Sequence, residues 1–334
     1  MSVLAAVAVM LLSAQPLRAQ SIKLLTFNIN GTPVIDPTRS KRISAITERL
    51  QTGAYDVALF QEAYVAQDRR DLKNLFFSSV SDEAEDGAGS LFSAAWGSGL
   101  VIASRWPIRK SHLFHYSIQT PMSKDFFLKR GLLAATVDSP AGEIDIYNTH
   151  LTHPPEAVTV RLAEIFELVE FVERFSAGRN FLLGGDLNFM PGSLESEFLS
   201  NMLGLDDACG WSDSGRCAST SGKDGRLDYI FLADRTAHVR SIRPSFTELN
   251  SENEPLYSDH FALEADLSPD LAAAAPLPNP RRQAEALRRL SVMLKKQLNE
   301  IETIGFFSGF WHVDQVNALR SIDARVKLRL AALN

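Results

Sequence analysis

The chain has 334 residues, 45% hydrophobic and 22% charged, and carries 34 Lys and Arg against 40 Asp and Glu for a net charge of −6. That balance allows a sizeable buried core in one or two domains and excludes a disordered or fibrous chain. The acidic total argues against a protein that lives on nucleic-acid backbones, although a local basic groove can hide inside it.

Residues 3–12 (VLAAVAVMLL) are an apolar run too short to cross a bilayer, followed by Pro16 and the small-residue ending Leu17-Arg18-Ala19. The pattern predicts a secretory signal peptide over 1–19, cleaved after Ala19, and hence a secreted or periplasmic protein. In an oxidising compartment Cys209 and Cys217, close in sequence, are expected to form a disulfide.

The mature chain opens with a strand-like run, Ile22 to Phe27, that ends on Asn28. Ile43, Ile46 and Leu50 recur at helical spacing, with Gly53 as a stop, so a helix is expected from Thr38 to Leu50. Tyr55 to Gln61 is a second apolar run, and it ends on Glu62. Residues 81–90 (SDEAEDGAGS) are acidic, without periodicity, and read as an exposed loop. A strand over Gly99 to Ser104 follows, then a hairpin of Leu132–Val137 and Ile144–Tyr147 around Pro140-Ala141-Gly142. Its second strand ends Asn148-Thr149-His150.

Glu156 to Phe175 reads as an amphipathic helix. It leads to Phe181-Leu182-Leu183-Gly184-Gly185-Asp186-Leu187-Asn188, read as a buried strand whose Asp186 and Asn188 share one face, or as a turn formed by the same residues. Two later runs begin with polar groups, at Asp228 and at Asp259-His260. Helices follow some strands and hairpins join others, which favours two packed sheets flanked by helices. Beyond 268 a linker, Ala272 to Pro278, leads to Asn279-Pro280 as a helix start. A Leu/Ile seam at 287, 290, 294, 298 and 301 and a second helix over Val313–Leu333 make a helical hairpin, with Phe306, Phe307, Phe310 and Trp311 at its tip. That hairpin can pack on the main domain or a second copy, or its aromatics can enter a lipid surface as a peripheral membrane contact.

Four strands thus end in polar groups (Asn28, Glu62, His150, Asp186) and two begin with them (Asp228, Asp259). In a mixed sheet such ends and starts share one edge, so all six can meet in a cleft. Singly, Glu62 could be a solvated charge, His150 a structural histidine and Asp228 a turn cap. Together, oxygen ligands suit Mg²⁺, Mn²⁺ or Ca²⁺, and flanking histidines suit proton transfer; this is equipment for water attacking a phosphorus ester.

The ordered series Phe27-Asn28, Gln61-Glu62, Asn148-Thr149-His150, Gly185-Asp186-Leu187-Asn188, Leu227-Asp228-Tyr229 and Ser258-Asp259-His260 resembles the endonuclease/exonuclease/phosphatase superfamily of metal-dependent phosphoesterases over residues 22–268. The resemblance implies a DNase I-like four-layer αββα sandwich over 20–268, followed by the linker and C-terminal hairpin over 269–334. It implies Glu62 as principal Mg²⁺ ligand (Mn²⁺ as substitute) with Asn28 beside it, and His260, oriented by Asp259, as general base. Asp186 and Asn188 would position water and phosphate, His150 would stabilise the transition state or leaving group, and Asp228 would orient a histidine. Ser98 to Ile108, Asp125 to Gly131 and Tyr147 to Thr152 are most similar to neutral sphingomyelinases, with Arg130 as a phosphate binder where those enzymes usually carry Lys. The expectation is an exported Mg²⁺-dependent sphingomyelinase that releases ceramide and phosphocholine. A secreted nuclease or a phosphoinositide or other phosphatase is the alternative, and a fold-retaining binding protein without turnover a third reading.

Overall fold

The computed structural model describes residues 21–32, 37–82, 97–118, 129–211, 217–221, 225–233, 238–268, 277–304 and 311–333. The predicted signal peptide, residues 272–276 of the linker, Asp125–Leu128 and the Phe306, Phe307 and Phe310 tip lie outside them, as does most of the predicted acidic loop. Of that loop, Ser81 closes a strand, and Asp82 is buried, not exposed.

The apolar run before Asn28 forms β1 (Ile22–Asn28), and the run before Glu62 forms β2 (Val57–Gln61). They lie parallel, with Asn28 opposite Gln61. With β3 (Ser78–Ser81), β4 (Val101–Ser104), β11 (His238–Ser245) and β12 (Ala262–Ser268) they make one six-stranded sheet, ordered β11-β12-β1-β2-β4-β3. The second sheet is ordered β5-β6-β7-β8-β10-β9. Its strands are β5 (Ile108–His115), the hairpin β6 (Gly131–Ser139) and β7 (Gly142–His150), β8 (Phe181–Asp186), β9 (Asp206–Asp207) and β10 (Asp228–Leu232).

The two sheets face each other through aliphatic side chains, among them Leu24, Leu59, Ile102, Leu133, Ile146, Leu182, Ile230 and Leu263. Both faces of the central strands are therefore apolar, which is why those runs show no alternation. Outside the first sheet, α1 (Arg39–Gly53) and α2 (Ala66–Lys73) bury Ile43, Ile46, Leu50 and Leu72 against Phe27 and Phe60. Outside the second lie α3 (Val158–Ser176) and α4 (Leu194–Leu203). The result is an αββα sandwich.

α5 (Pro280–Ile304) starts where the cap predicts: Asn279 Oδ1 accepts the N–H groups of Arg281 and Arg282 at 3.0 and 3.3 Å. With α6 (Trp311–Ala332) it forms the hairpin, and Leu287, Leu290 and Leu294 join Leu168, Leu199, Ile322 and Val326 in one buried cluster. The seam is thus spent on the chain's own α3, α4 and α6. At about 1.5–3 kcal/mol per fully buried leucine, that packing is a substantial attachment.

Mixed strand directions put the ends of β1, β2, β7 and β8 and the starts of β10 and β12 at one end of the sandwich. Between the sheets just below that end, Gln61 Nε2 donates to Asn148 Oδ1 at 2.7 Å and to Thr26 Oγ1 at 3.1 Å. Asn148 Nδ2 in turn donates to the carbonyls of Phe60 and Val101, each at 2.9 Å. This buried polar bridge ties β7 to β2 and β4 directly under Glu62 and His150.

Candidate active site

Register alone brings three of the expected residues side by side: Asp186 of β8 lies opposite His150 of β7 and opposite Asp228 of β10. Such close strand approach depends on Gly185. A Cβ there would stand 2.0 Å from the Thr149 carbonyl oxygen, and its φ is +146°. β8 ends at Asp186; the chain then turns, with Asn188 at φ +52° and its N–H donating to Asp186 Oδ1 at 3.1 Å. Asn188 therefore reaches the cleft from a turn and not as the next residue of a strand.

Asp186 Oδ2 is the meeting point. Asn28 Nδ2 donates to it at 3.0 Å and to Glu62 Oε1 at 3.2 Å, so Asn28 bridges the carboxylates of the two sheets. His150 Nε2 lies 3.4 Å and His260 Nε2 3.7 Å from the same oxygen. Glu62 sits at φ +59°, a left-handed conformation costly for a non-glycine residue, which aims its carboxylate into the cleft. Thr32 Oγ1 reaches its second oxygen at 3.4 Å.

The expected partner of His260 is corrected. His260 Nδ1 bonds Asp228 Oδ2 at 2.8 Å, whereas Asp259 is exposed and accepts from the Ser258 hydroxyl at 3.2 Å. His260 turns inward to β10, while Asp259, in the bend before it, bonds Ser258 and stands close enough for its charge to raise both Glu62 and His260. Asp228 is the group that orients the imidazole and fixes its tautomer, leaving Nε2 toward the cleft.

The charges are unevenly matched. Burial pushes Glu62 up, and the nearby Arg130 guanidinium pulls it partly back. Burial likewise drives Asp186 upward, with His260 and the Asn28 amide opposing and Asp228 adding to the rise. For His260 burial works downward, but Asp228 and Asp186 outweigh it and hold the imidazole's proton affinity well above its ordinary value. His150 goes the other way: burial, Arg130 and His260 keep it neutral. The site thus pairs one histidine that takes a proton readily with one that stays uncharged.

Two groupings could hold a cation. Ligand atoms of Asp186, Asp228 and His260 lie within 4.8 Å of one another, but His260 Nδ1 is committed to Asp228, which suits this trio to proton handling. Glu62 offers hard oxygen beside Asp186, the donor chemistry of Mg²⁺ or Mn²⁺. Asn28 turns Nδ2 to both carboxylates while its Oδ1 accepts the Asn30 N–H at 3.0 Å, so its amide would have to turn over to add an oxygen ligand. Asp228 Oδ1 is buried without a hydrogen-bond partner among the described residues, so this carboxylate-rich cluster fits a divalent cation. Arg130, 4% exposed, closes the other side.

Several participants lie outside the motifs read from the sequence. His153 Nδ1 lies 3.2 Å from Asn188 Oδ1, whose amide also donates to the Leu151 carbonyl at 2.9 Å. His153 stands three residues after His150, and that spacing is a signal that could have found it. Thr220 Oγ1 accepts the N–H of Asp228 at 3.1 Å, with no local pattern to announce it. Cys209 and Cys217 are joined as expected, next to Arg226, which pairs with Asp207.

The family model described as "Endonuclease/Exonuclease/phosphatase family" matches residues 25–260. The inositol phosphosphingolipids phospholipase C of Schizosaccharomyces pombe is 25% identical over 299 residues, covering 75% of this chain and 69% of that protein. Sphingomyelin phosphodiesterase 2 of Rattus norvegicus is 28% identical over 201 residues, covering 56% of this chain and 46% of that protein. The solved endonuclease/exonuclease/phosphatase family protein of Bacteroides thetaiotaomicron aligns with a TM-score of 0.61 at 19% identity, over 77% of this chain and 98% of that one, a likeness of fold. The matched stretch runs from β1 to His260 and takes in every cleft residue described above, so the chain belongs to the endonuclease/exonuclease/phosphatase family and is a phosphoric ester hydrolase.

Proposed function

We propose that the protein is an exported, Mg²⁺-dependent phosphodiesterase of sphingomyelinase type, acting on a sphingolipid phosphodiester to leave ceramide and a phosphorylated head group. The observation that carries the reading is the opposition of Asn28–Glu62 and Asp228–His260 across Asp186, a pairing of oxygen ligands with a proton acceptor. The names of the S. pombe and rat relatives support the substrate class. The apolar run at residues 3–12 supports export.

Glu62 and Asn28 would hold the ion, which when bound neutralises phosphate charge and lowers the proton affinity of water. With a cation offsetting the carboxylates that raise its proton affinity, His260 would take the proton of the attacking water, and Asp228 would stabilise the resulting imidazolium. As the water oxygen bonds to phosphorus, the bond from phosphorus to the ceramide oxygen breaks, the leaving oxygen takes a proton from solvent, and His260 returns its proton to solvent. Arg130 and neutral His150 face the phosphate oxygens, with Asn188 at the rim, where charge grows in the transition state.

Purified mature protein with sphingomyelin vesicles and Mg²⁺ should release phosphocholine, and EDTA should stop it, with Mn²⁺ able to restore it. Parallel assays on inositol-phosphorylceramide, phosphoinositides and plasmid DNA identify the preferred ester. Failure to release phosphocholine alongside rapid DNA breakdown would replace this reading with that of a nuclease.

A further inference from the structure

One contact of the C-terminal hairpin leads on into the cleft. Glu167 of α3 is only 3% exposed. Its Oε2 accepts the Ser117 N–H at 2.8 Å, and its Oε1 accepts the Ser117 hydroxyl at 2.6 Å. A cation answers this buried carboxylate from α6: Arg325 donates to Oε1 at 2.8 Å and also pairs with Glu170. Ser117 directly follows Tyr116, and Tyr116 is tied to the cleft twice. Its N–H donates to the Arg130 carbonyl at 3.1 Å, and its hydroxyl lies 2.7 Å from that of Thr149, the neighbour of His150.

An unpaired buried carboxylate is costly. Without Arg325 the strain is relieved when Glu167 swings toward water, and that movement breaks both bonds to Ser117. The neighbouring pair Arg329–Glu173 joins the same two helices, but Glu173 is 40% exposed and makes no side-chain bond into the cleft among the described residues. Beside the apolar seam, these two sets of ion pairs tie the hairpin to α3, and one of them continues to the active site.

We propose that Arg325 and Glu167 are positioning residues: they fix Ser117 and, through Tyr116, the backbone of Arg130 and Thr149, so that the C-terminal hairpin sets the anion-binding side of the cleft. The catalytic consequence rests on Arg130 binding substrate phosphate as proposed above, whereas the mechanical link does not.

The test compares Arg325→Met, Arg325→Lys, Glu167→Gln, the Arg325→Met/Glu167→Gln pair and Arg329→Met in the full mature protein, with a soluble chromogenic phosphocholine ester as substrate. Arg325→Met should raise KM about tenfold with kcat changed less than about threefold, a size in keeping with network couplings. The double variant should be no worse than the poorer single variant, Arg325→Lys should recover most of the loss, and Arg329→Met should match the parent. Amide hydrogen exchange in the peptide containing Ser117 should quicken in Arg325→Met and not in Arg329→Met. Equal KM losses in Arg325→Met and Arg329→Met, additive losses in the double variant, or unchanged exchange at Ser117 would overturn the proposal. If Arg325→Met does not fold, Ser117→Ala takes its place, and a parental KM in that variant counts against the proposal in the same way. If the parent itself hydrolyses no phosphate ester, the functional reading fails, and the exchange comparison alone decides the link.

Discussion

The two sheets bring unlike groups to one cleft. The first offers a half-buried Glu62 together with the buried amide of Asn28, 2% exposed; the second offers His150, Asp186 and Asp228, all at 2% exposure or less. Depth separates Glu62 from the two carboxylates of the second sheet. A shallow carboxylate can exchange water for a cation and back, while a fully buried one persists only when imidazole or amide protons satisfy it. The first sheet thus builds the metal-facing side and the second the proton-facing side, with Asn28 and His260 crossing between them.

The sharpest way to break this division is on the proton side. His260→Ala should cut turnover by about 10³-fold, the scale of a lost general base, with an unchanged circular dichroism spectrum and unchanged Mg²⁺ binding by calorimetry. Asp228→Asn should fall in the same direction, whereas Asp259→Asn should lose far less, because the imidazole bonds Asp228. An Asp259 variant as inactive as the Asp228 one would restore the sequence expectation.

On the metal side, Glu62→Gln should cost roughly 10²-fold in turnover and weaken Mg²⁺ binding in the same protein, a loss that His260→Ala does not share. Equal Mg²⁺ affinity in the two variants would erase the distinction between the sheets.

The bridge beneath both sides is tested by Asn148→Ala, which strips the donors from the Phe60 and Val101 carbonyls and the acceptor from Gln61. Stability should drop by about 2 kcal/mol, read from the denaturant midpoint. An unchanged midpoint would mean that the sheets hold together by their aliphatic contacts alone.

The smallest effect expected is at Asp82, whose Oδ2 accepts the Ser98 N–H at 2.6 Å and lies 3.1 Å from His115 Nε2. Burial alone would raise this carboxyl, but the His115 and Ser98 bonds outweigh it and hold it well below the usual range. A depressed folded-state value adds stability above the unfolded carboxylate value of about 4 and loses it as pH falls through the folded value. Asp82→Asn should therefore lower the unfolding midpoint by an amount equivalent to about 1 kcal/mol at neutral pH, and the gap should close in acid below that window. A gap that stays constant into acid would remove the ionised Asp82 from the account.

Much of the cleft was legible in the chain. Runs such as Ile22–Phe27 and Tyr55–Gln61 read as strand-like from their apolar content, and a polar residue at the end of each falls at the sheet edge. The α5 cap and the disulfide were likewise local matters. Less was legible where burial contradicts residue type. Glu164, Glu167 and Arg161 lie on an amphipathic helix, yet they are buried because loop backbone and a distant arginine satisfy them. β5 and β11 carry several exposed or polar residues, and nothing in their local pattern marks them as strands.

By itself the sequence determined which side chains stand at strand termini, because hydrophobic runs and their stops are encoded residue by residue. Only the tertiary structure decided which of them touch: that Asp228 and not the adjacent Asp259 holds His260, that Asp186 joins both histidines, and that Arg325 answers Glu167. Those pairings depend on strand register and helix docking between segments far apart in the chain, and register is fixed by the packing of whole sheets rather than by any neighbouring residue.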